Sequence, residues 1–129
     1  MTMTDASSLA VAGKFLIVGY FIAAGINNLF PARIEEHLGR LGGYGVPMPR
    51  VVFWLAHAVL FTGCALILAD WRADVGVMLL VAFTAVANAL YHRFWNVEDP
   101  FRRNMLRVQL MNGFGTVGGL LLLLYHVAR

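Results

Sequence analysis

The chain has 129 residues, of which 60% are hydrophobic and 13% charged, and its formal net charge is +3; its mean hydropathy is +0.70. This composition lies far above a soluble average and leaves room for little besides membrane spans and their connections, which excludes a soluble domain and argues for one domain over residues 1–129. The lone cysteine, Cys64, excludes an internal disulfide and dithiol redox chemistry by this chain alone.

Residues 1–8 are polar and are expected to fray. The first apolar stretch, Leu9 to Phe30, lacks a preceding basic region, is too long for the core of a signal peptide, and has no small-residue cleavage site after it. It is therefore expected to be retained as a span. Pro31 ends it by removing a backbone donor and biasing Phe30 out of the helical region. Ala32 to Leu41 is expected to form a short amphipathic helix lying in the interface, with Ile34, Leu38 and Leu41 on one side. Gly42, Gly43, Gly45, Pro47 and Pro49 then break the chain before a second apolar stretch, Val51 to Ala69. The connection from Asp70 to Asp74 is short enough to force an antiparallel hairpin with the third stretch, Val75 to Phe94. Trp95, Asn96, Val97, Glu98, Asp99 and Pro100 form the third connection, and Met105 to Val127 is the fourth stretch. Each stretch has the roughly 20 residues that cross a hydrocarbon core. The expected fold is an all-α, integral membrane, four-helix antiparallel bundle.

The basic residues are distributed unevenly. Arg33, Arg40, Arg50, Arg93, Arg102, Arg103 and Arg107 flank the first and third connections, against Lys14, Arg72 and Arg129 on the opposite face. The positive-inside rule then puts the two long connections in the cytoplasm and both termini outside it. The arginines are spread over two juxtamembrane loops, which suits topology and lipid headgroups and not nucleic acid.

The polar side chains of the spans gather toward one side of the membrane. Asn27, Asn28, His57, Asn88, His92, Asn104, Gln109 and Asn112 all fall there when the helices alternate in direction; His126 is the exception. Such groups are costly toward lipid and are expected to turn inward. Asn88 and His92 are one helical turn apart, and Gln109, Asn112 and Thr116 form one stripe at spacings of three and four. One reading is a pocket in which imidazole and amide groups hold the carbonyl oxygens of a quinone, with Tyr91, Phe94 and Trp95 against its ring. On that reading His57 and His92 are the anchors, Trp95 closes the mouth and Asn112 forms the floor. The other reading is interhelical hydrogen bonding that glues the bundle, with the aromatics in an interfacial belt. No catalytic constellation or metal-ligand spacing accompanies the histidines. Gly113, Gly115 and Gly118 match a dinucleotide-binding pattern, but that pattern has meaning only between a strand and a helix. Inside a span, Gly115 and Gly119 are instead expected to form a close-packing face.

Ala24-Gly25-Ile26-Asn27-Asn28-Leu29-Phe30, Tyr44-Gly45-Val46-Pro47, His92-Arg93-Phe94-Trp95-Asn96 and the Gly- and Leu-rich fourth stretch resemble, in order and spacing, the DoxX family of small bacterial membrane proteins. The resemblance covers nearly the whole chain. It implies a four-helix bundle in the bacterial cytoplasmic membrane, acting as an accessory or quinone-interacting subunit beside an oxidoreductase partner, with homo-oligomerisation and lipid contacts as further expectations. The chain departs from the pattern at two positions: Asn28 stands where Lys is common, and Val59 where Glu is common. The alternative to a redox subunit is a noncatalytic bundle that binds a lipid, a small apolar molecule or a client protein.

Overall fold

A computed structural model describes residues 3–91 and 93–128. Five helices follow one another: α1 (Met3–Asn28), α2 (Pro31–Gly43), α3 (Pro49–Leu68), α4 (Ala73–Tyr91) and α5 (Pro100–Val127), with a 3₁₀ turn at Phe94–Asn96 before α5. Among the described residues, α1, α3, α4 and α5 supply four helices long and apolar enough to cross a membrane. The chain is a multi-pass helical membrane protein. Leu16, Leu55, Met78, Phe114 and Leu122 are exposed on the outside of the bundle, which suits lipid and not water.

The helix boundaries follow local chemistry. Phe30 is extended (φ −65°, ψ 139°), as the residue before a proline must be, and Pro31 takes the first position of α2, where its missing N–H costs nothing. At the other end of α2, Val46 donates to the Leu41 carbonyl at 3.1 Å and Gly45 to Gly42 at 3.0 Å. Gly45 sits at φ 77°, so α2 closes in a Schellman motif with glycine at the left-handed position. The α3 terminus repeats the motif, with Trp71 donating to Leu66 and Asp70 to Ile67, both at 3.2 Å. There the left-handed residue is Asp70, at φ 52°. Asp99 caps α5 through a 3.4 Å bond from the Arg102 N–H, and Pro100 follows at the first position.

Two boundaries differ from the sequence expectation. The helix of the first span runs back to Met3 instead of fraying before Leu9, because extending an existing helix costs far less than nucleating one. The third span leaves the helix after Tyr91, three residues short of Phe94, and Arg93 is already nonhelical.

The bundle is solid at one end and hollow at the other. Val18 and Phe21 of α1, Leu60, Cys64 and Ile67 of α3, Val77 and Leu80 of α4, and Leu120 and Leu123 of α5 form one buried apolar cluster. The cluster lies toward the α3–α4 hairpin loop, with Phe21 at its border, where it also lines the cavity described below. The hairpin owes its closeness to two glycines: a Cβ on Gly76 would stand 2.7 Å from the Gly63 carbonyl oxygen, and one on Gly63 would stand 2.9 Å from that of Gly76. Lys14 reaches across this end to Asp70 at 2.8 Å, fixing the start of the first span to the hairpin loop.

The close-packing face expected at Gly115 and Gly119 is only half present. A Cβ on Gly119 would stand 3.3 Å from Ile17 Cδ1 of α1, but Gly115 has open space where its side chain would be. The intimate glycine contacts lie instead at Gly25 against Leu60 and Phe61, at Gly63 against Gly76, and at Gly113 against Asn88.

Candidate functional site

The hollow half contains a cavity of about 600 Å³ lined by all five helices. From α1 come Tyr20, Phe21, Ala24 and Asn28, which share one helical face. From α3 come Phe53, Ala56 and His57, and from α4 Phe83, Thr84, Asn88 and Tyr91. Gln109, Asn112, Gly113 and Thr116 of α5 complete the wall, so the stripe at spacings of three and four does face the site. Gln109 and Asn112 are nevertheless solvent-accessible along with Tyr20. Leu55 of α3 and Val86 of α4, also in the lining, are exposed as well, so the cavity is open at the side of the bundle.

The roof is α2, which supplies Arg33, His37, Arg40 and Leu41. Its amphipathic pattern emerges as expected for Leu41, which is fully buried, but the other buried residue is His37. His37 Nε2 donates to Asn28 Oδ1 at 3.1 Å, and its ring lies against Phe53 at 5.8 Å and edge-on to Tyr91 at 5.2 Å. Arg40 Nη2 donates to the Tyr91 carbonyl at 2.8 Å, and its guanidinium stands over the Tyr91 ring at 4.8 Å. A cation thus meets an unsatisfied carbonyl at the negative end of α4, which pins the roof across the bundle. Burial, reinforced by Arg33 and Arg40 and opposed by Glu36, pushes His37 below its ordinary pKa of 6.5.

Three residues of the lining each keep a buried polar atom with no partner among the described residues: His57 Nε2, Arg33 Nε and Arg40 Nε. His57 is 5% exposed. Its Nδ1 donates to the Phe53 carbonyl at 2.9 Å. A carbonyl oxygen can only accept, so the proton of the neutral ring is on Nδ1 and Nε2 presents a lone pair. Thr84 and Thr116 also spend their protons on helix carbonyls, those of Leu80 and Asn112, at 2.8 and 2.9 Å. Their oxygens, like His57 Nε2, are left as acceptors.

Of the residues singled out in the sequence, His57, Asn88, Gln109 and Asn112 come together around this cavity. His92 lies outside the described residues, so its expected place one turn from Asn88 is not assigned. Trp95 does not close the mouth: it is 59% exposed, packs edge-on against Phe94 at 5.3 Å, and is absent from the lining. The early end of α4 places it on the 3₁₀ turn, outside the wall, while α2 takes the closing role. Asn27 and Asn104 are exposed and also stand outside the lining. The residues missed from sequence are Arg33, His37 and Arg40. The available signal was His37 itself, three residues after Ile34 and four before Leu41, and so on the apolar face of α2.

Asn88 has a steric partner. A side chain on Gly113 would run into its carboxamide, so the glycine makes room for the amide between α4 and α5. Asn28 and Val59 both line the cavity.

No family model matches the chain, and no solved structure matches it. Among curated proteins, the Surfeit locus protein 4 homolog of Schizosaccharomyces pombe is 32% identical over 83 residues. The matched stretch is 63% of this chain and 26% of that protein, so the chain spans about a quarter of the length of this relative.

Proposed function

We propose that the protein is a binding bundle, without catalysis of its own, that holds one small amphipathic molecule in the cavity of its hollow half. The observation that carries this reading is a cavity of about 600 Å³ roofed by α2 and lined in part by exposed residues of α1, α3, α4 and α5. That volume is in the range of small-molecule sites, and its mixed aromatic and polar wall suits a ligand with a polar head and an apolar body. The absence of charge at Asn28 and Val59 fits the same role, since the wall carries no intramembrane carboxylate for acid–base chemistry. The bacterial cytoplasmic membrane, with the long connections inside, is the location we propose from the DoxX resemblance and the arginine distribution.

An accessory role beside an oxidoreductase partner, with a quinone as ligand, rests on the DoxX resemblance. The amides of Gln109 and Asn112 are suitable donors to a quinone carbonyl. His57 is not, because its free nitrogen accepts; it would serve the reduced quinol, whose hydroxyl donates.

Native mass spectrometry of protein extracted gently from membranes tests the binding role. The wild type should retain one lipid-sized adduct, Ala56→Trp should lose it by filling the cavity, and Leu122→Trp, on the outer surface, should keep it. Equal retention by all three would refute the proposal.

A further inference from the structure

We propose that the cavity takes a single-chain glycerophospholipid with a free hydroxyl, held with its phosphate under α2 at Arg33 and Arg40 and its hydroxyl donating to His57 Nε2. The inference rests on the binding role proposed above and specifies its ligand.

His57 sets the first requirement. The Phe53 carbonyl takes its Nδ1 proton, leaving Nε2 as a buried lone pair with no partner among the described residues. A buried acceptor without a partner is costly, and a donor from the ligand satisfies it. A hydroxyl meets that need; a carbonyl, an ether or a hydrocarbon does not.

The roof sets the second. Arg33 uses Nη1 on Glu36 Oε2 and Arg40 uses Nη2 on the Tyr91 carbonyl, each at 2.8 Å. The Nε–H of each is buried with no partner among the described residues, and both residues belong to the cavity lining. Both residues line the same cavity, and guanidinium donors there select an acceptor with negative charge, for which phosphate is suited.

The order of the two requirements selects the lipid. Arg33 and Arg40 flank His37 on α2, the His37 ring touches Phe53, and His57 lies one helical turn beyond Phe53 toward the bundle interior. The anion is therefore outermost and the hydroxyl roughly 5 Å deeper, the rise of one turn. In a lysophosphatidate the phosphate and the free hydroxyl occupy adjacent glycerol carbons, with the hydroxyl on the chain side. In phosphatidylglycerol the free hydroxyls lie beyond the phosphate, on the wrong side. The acyl chain runs out along the exposed part of the lining, where Tyr20, Leu55 and Val86 lie.

The test is binding to purified full-length protein in detergent, followed by tryptophan fluorescence and native mass spectrometry. The ligands are oleoyl lysophosphatidate, oleyl phosphate without the hydroxyl, monooleoylglycerol without the phosphate, dioleoyl phosphatidylglycerol and decylubiquinone. Wild type should prefer lysophosphatidate over oleyl phosphate and over monooleoylglycerol by about tenfold each, one charge-assisted or buried hydrogen bond apiece. His57→Phe should keep the ring and abolish the preference over oleyl phosphate; Arg33→Gln with Arg40→Gln should abolish the preference over monooleoylglycerol. The ligand comparisons on wild type decide the matter even if a variant fails to fold. Equal binding of lysophosphatidate and oleyl phosphate, or tighter binding of phosphatidylglycerol or decylubiquinone, overturns this ligand assignment and leaves the cavity as a binding site. Failure of every amphiphile to bind overturns the binding role itself.

Discussion

Replacing Gly76 with alanine isolates the contact that holds the α3–α4 hairpin together. The new Cβ would stand 2.7 Å from the Gly63 oxygen and 3.0 Å from both Ile67 Cγ1 and Leu66 Cβ, whereas ordinary contact begins near 3.4 Å. The neighbours are the backbone and the first atoms of side chains, which have no free rotamer to retreat into. The helices must part by roughly 0.7 Å, the difference between 3.4 and 2.7 Å. A gap of that size forfeits about a quarter to a half of each dispersion contact along the seam, and overpacking of this kind typically costs about 1 to 3 kcal/mol. In lipid no hydrophobic force compensates, because the tails are as apolar as the side chains. Gly115→Ala is the matched control: nothing lies within 4 Å of its Cβ, and alanine is the better helix former by about 0.5 to 1 kcal/mol. Melting of both variants in detergent should show Gly76→Ala below wild type and Gly115→Ala at or above it. Equal shifts would mean that the Gly63–Gly76 approach does not determine hairpin stability.

Asp70 should be replaceable by glycine at lower cost than by alanine. Both lose the Lys14 ion pair, worth about 0.5 to 1 kcal/mol at this exposed carboxylate, but only alanine adds about 1 kcal/mol of left-handed strain at φ 52°; melting curves that rank alanine above glycine would contradict this. The roof should loosen in acid. Because the folded structure holds His37 below 6.5, its docking is fully favourable above that pH and weakens as pH falls through the depressed value, where a charged ring would face Arg33 and Arg40 across the Asn28, Phe53, His57 and Tyr91 contacts. Hydrogen exchange of α2 amides, corrected for the intrinsic pH dependence, should then show protection lost below pH 6.5 while α3 stays protected; pH-independent protection of α2 would count against it. Arg40→Ala should expose α2 at every pH by removing the bond to the Tyr91 carbonyl, by about 1.5 to 3 kcal/mol for a hydrogen bond from a charged group, and unchanged exchange would refute that. A reporter fused to the C-terminus should read as extracytoplasmic, and a cytoplasmic signal would reverse the orientation drawn from the arginines.

Spans and their order were legible because membrane helices are specified by length and hydropathy, which a single sequence displays directly. The same holds for the hairpin: the few residues from Leu68 to Ala73 admit no other arrangement. The polar end was legible for the same reason, since alternating direction alone brings Asn28, His57, Asn88 and Asn112 to one depth. Depth, however, does not fix rotation or spacing about the bundle axis. Gln109 and Asn112 were expected to be buried by packing; they line the cavity, yet remain accessible. The roof was hidden for a different reason. Arg33 and Arg40 read as topology signals, and as isolated surface charges they are nothing more. Only when His37 buries against Phe53 does α2 turn those two guanidiniums inward, so a segment read as a loop helix supplies the positive end of the site. Hydropathy registers how far a side chain sits from water and is blind to which side of its helix faces a cavity. For α2, whose arginines serve both the headgroup region and the cavity, that missing angle separates a topology signal from a ligand contact.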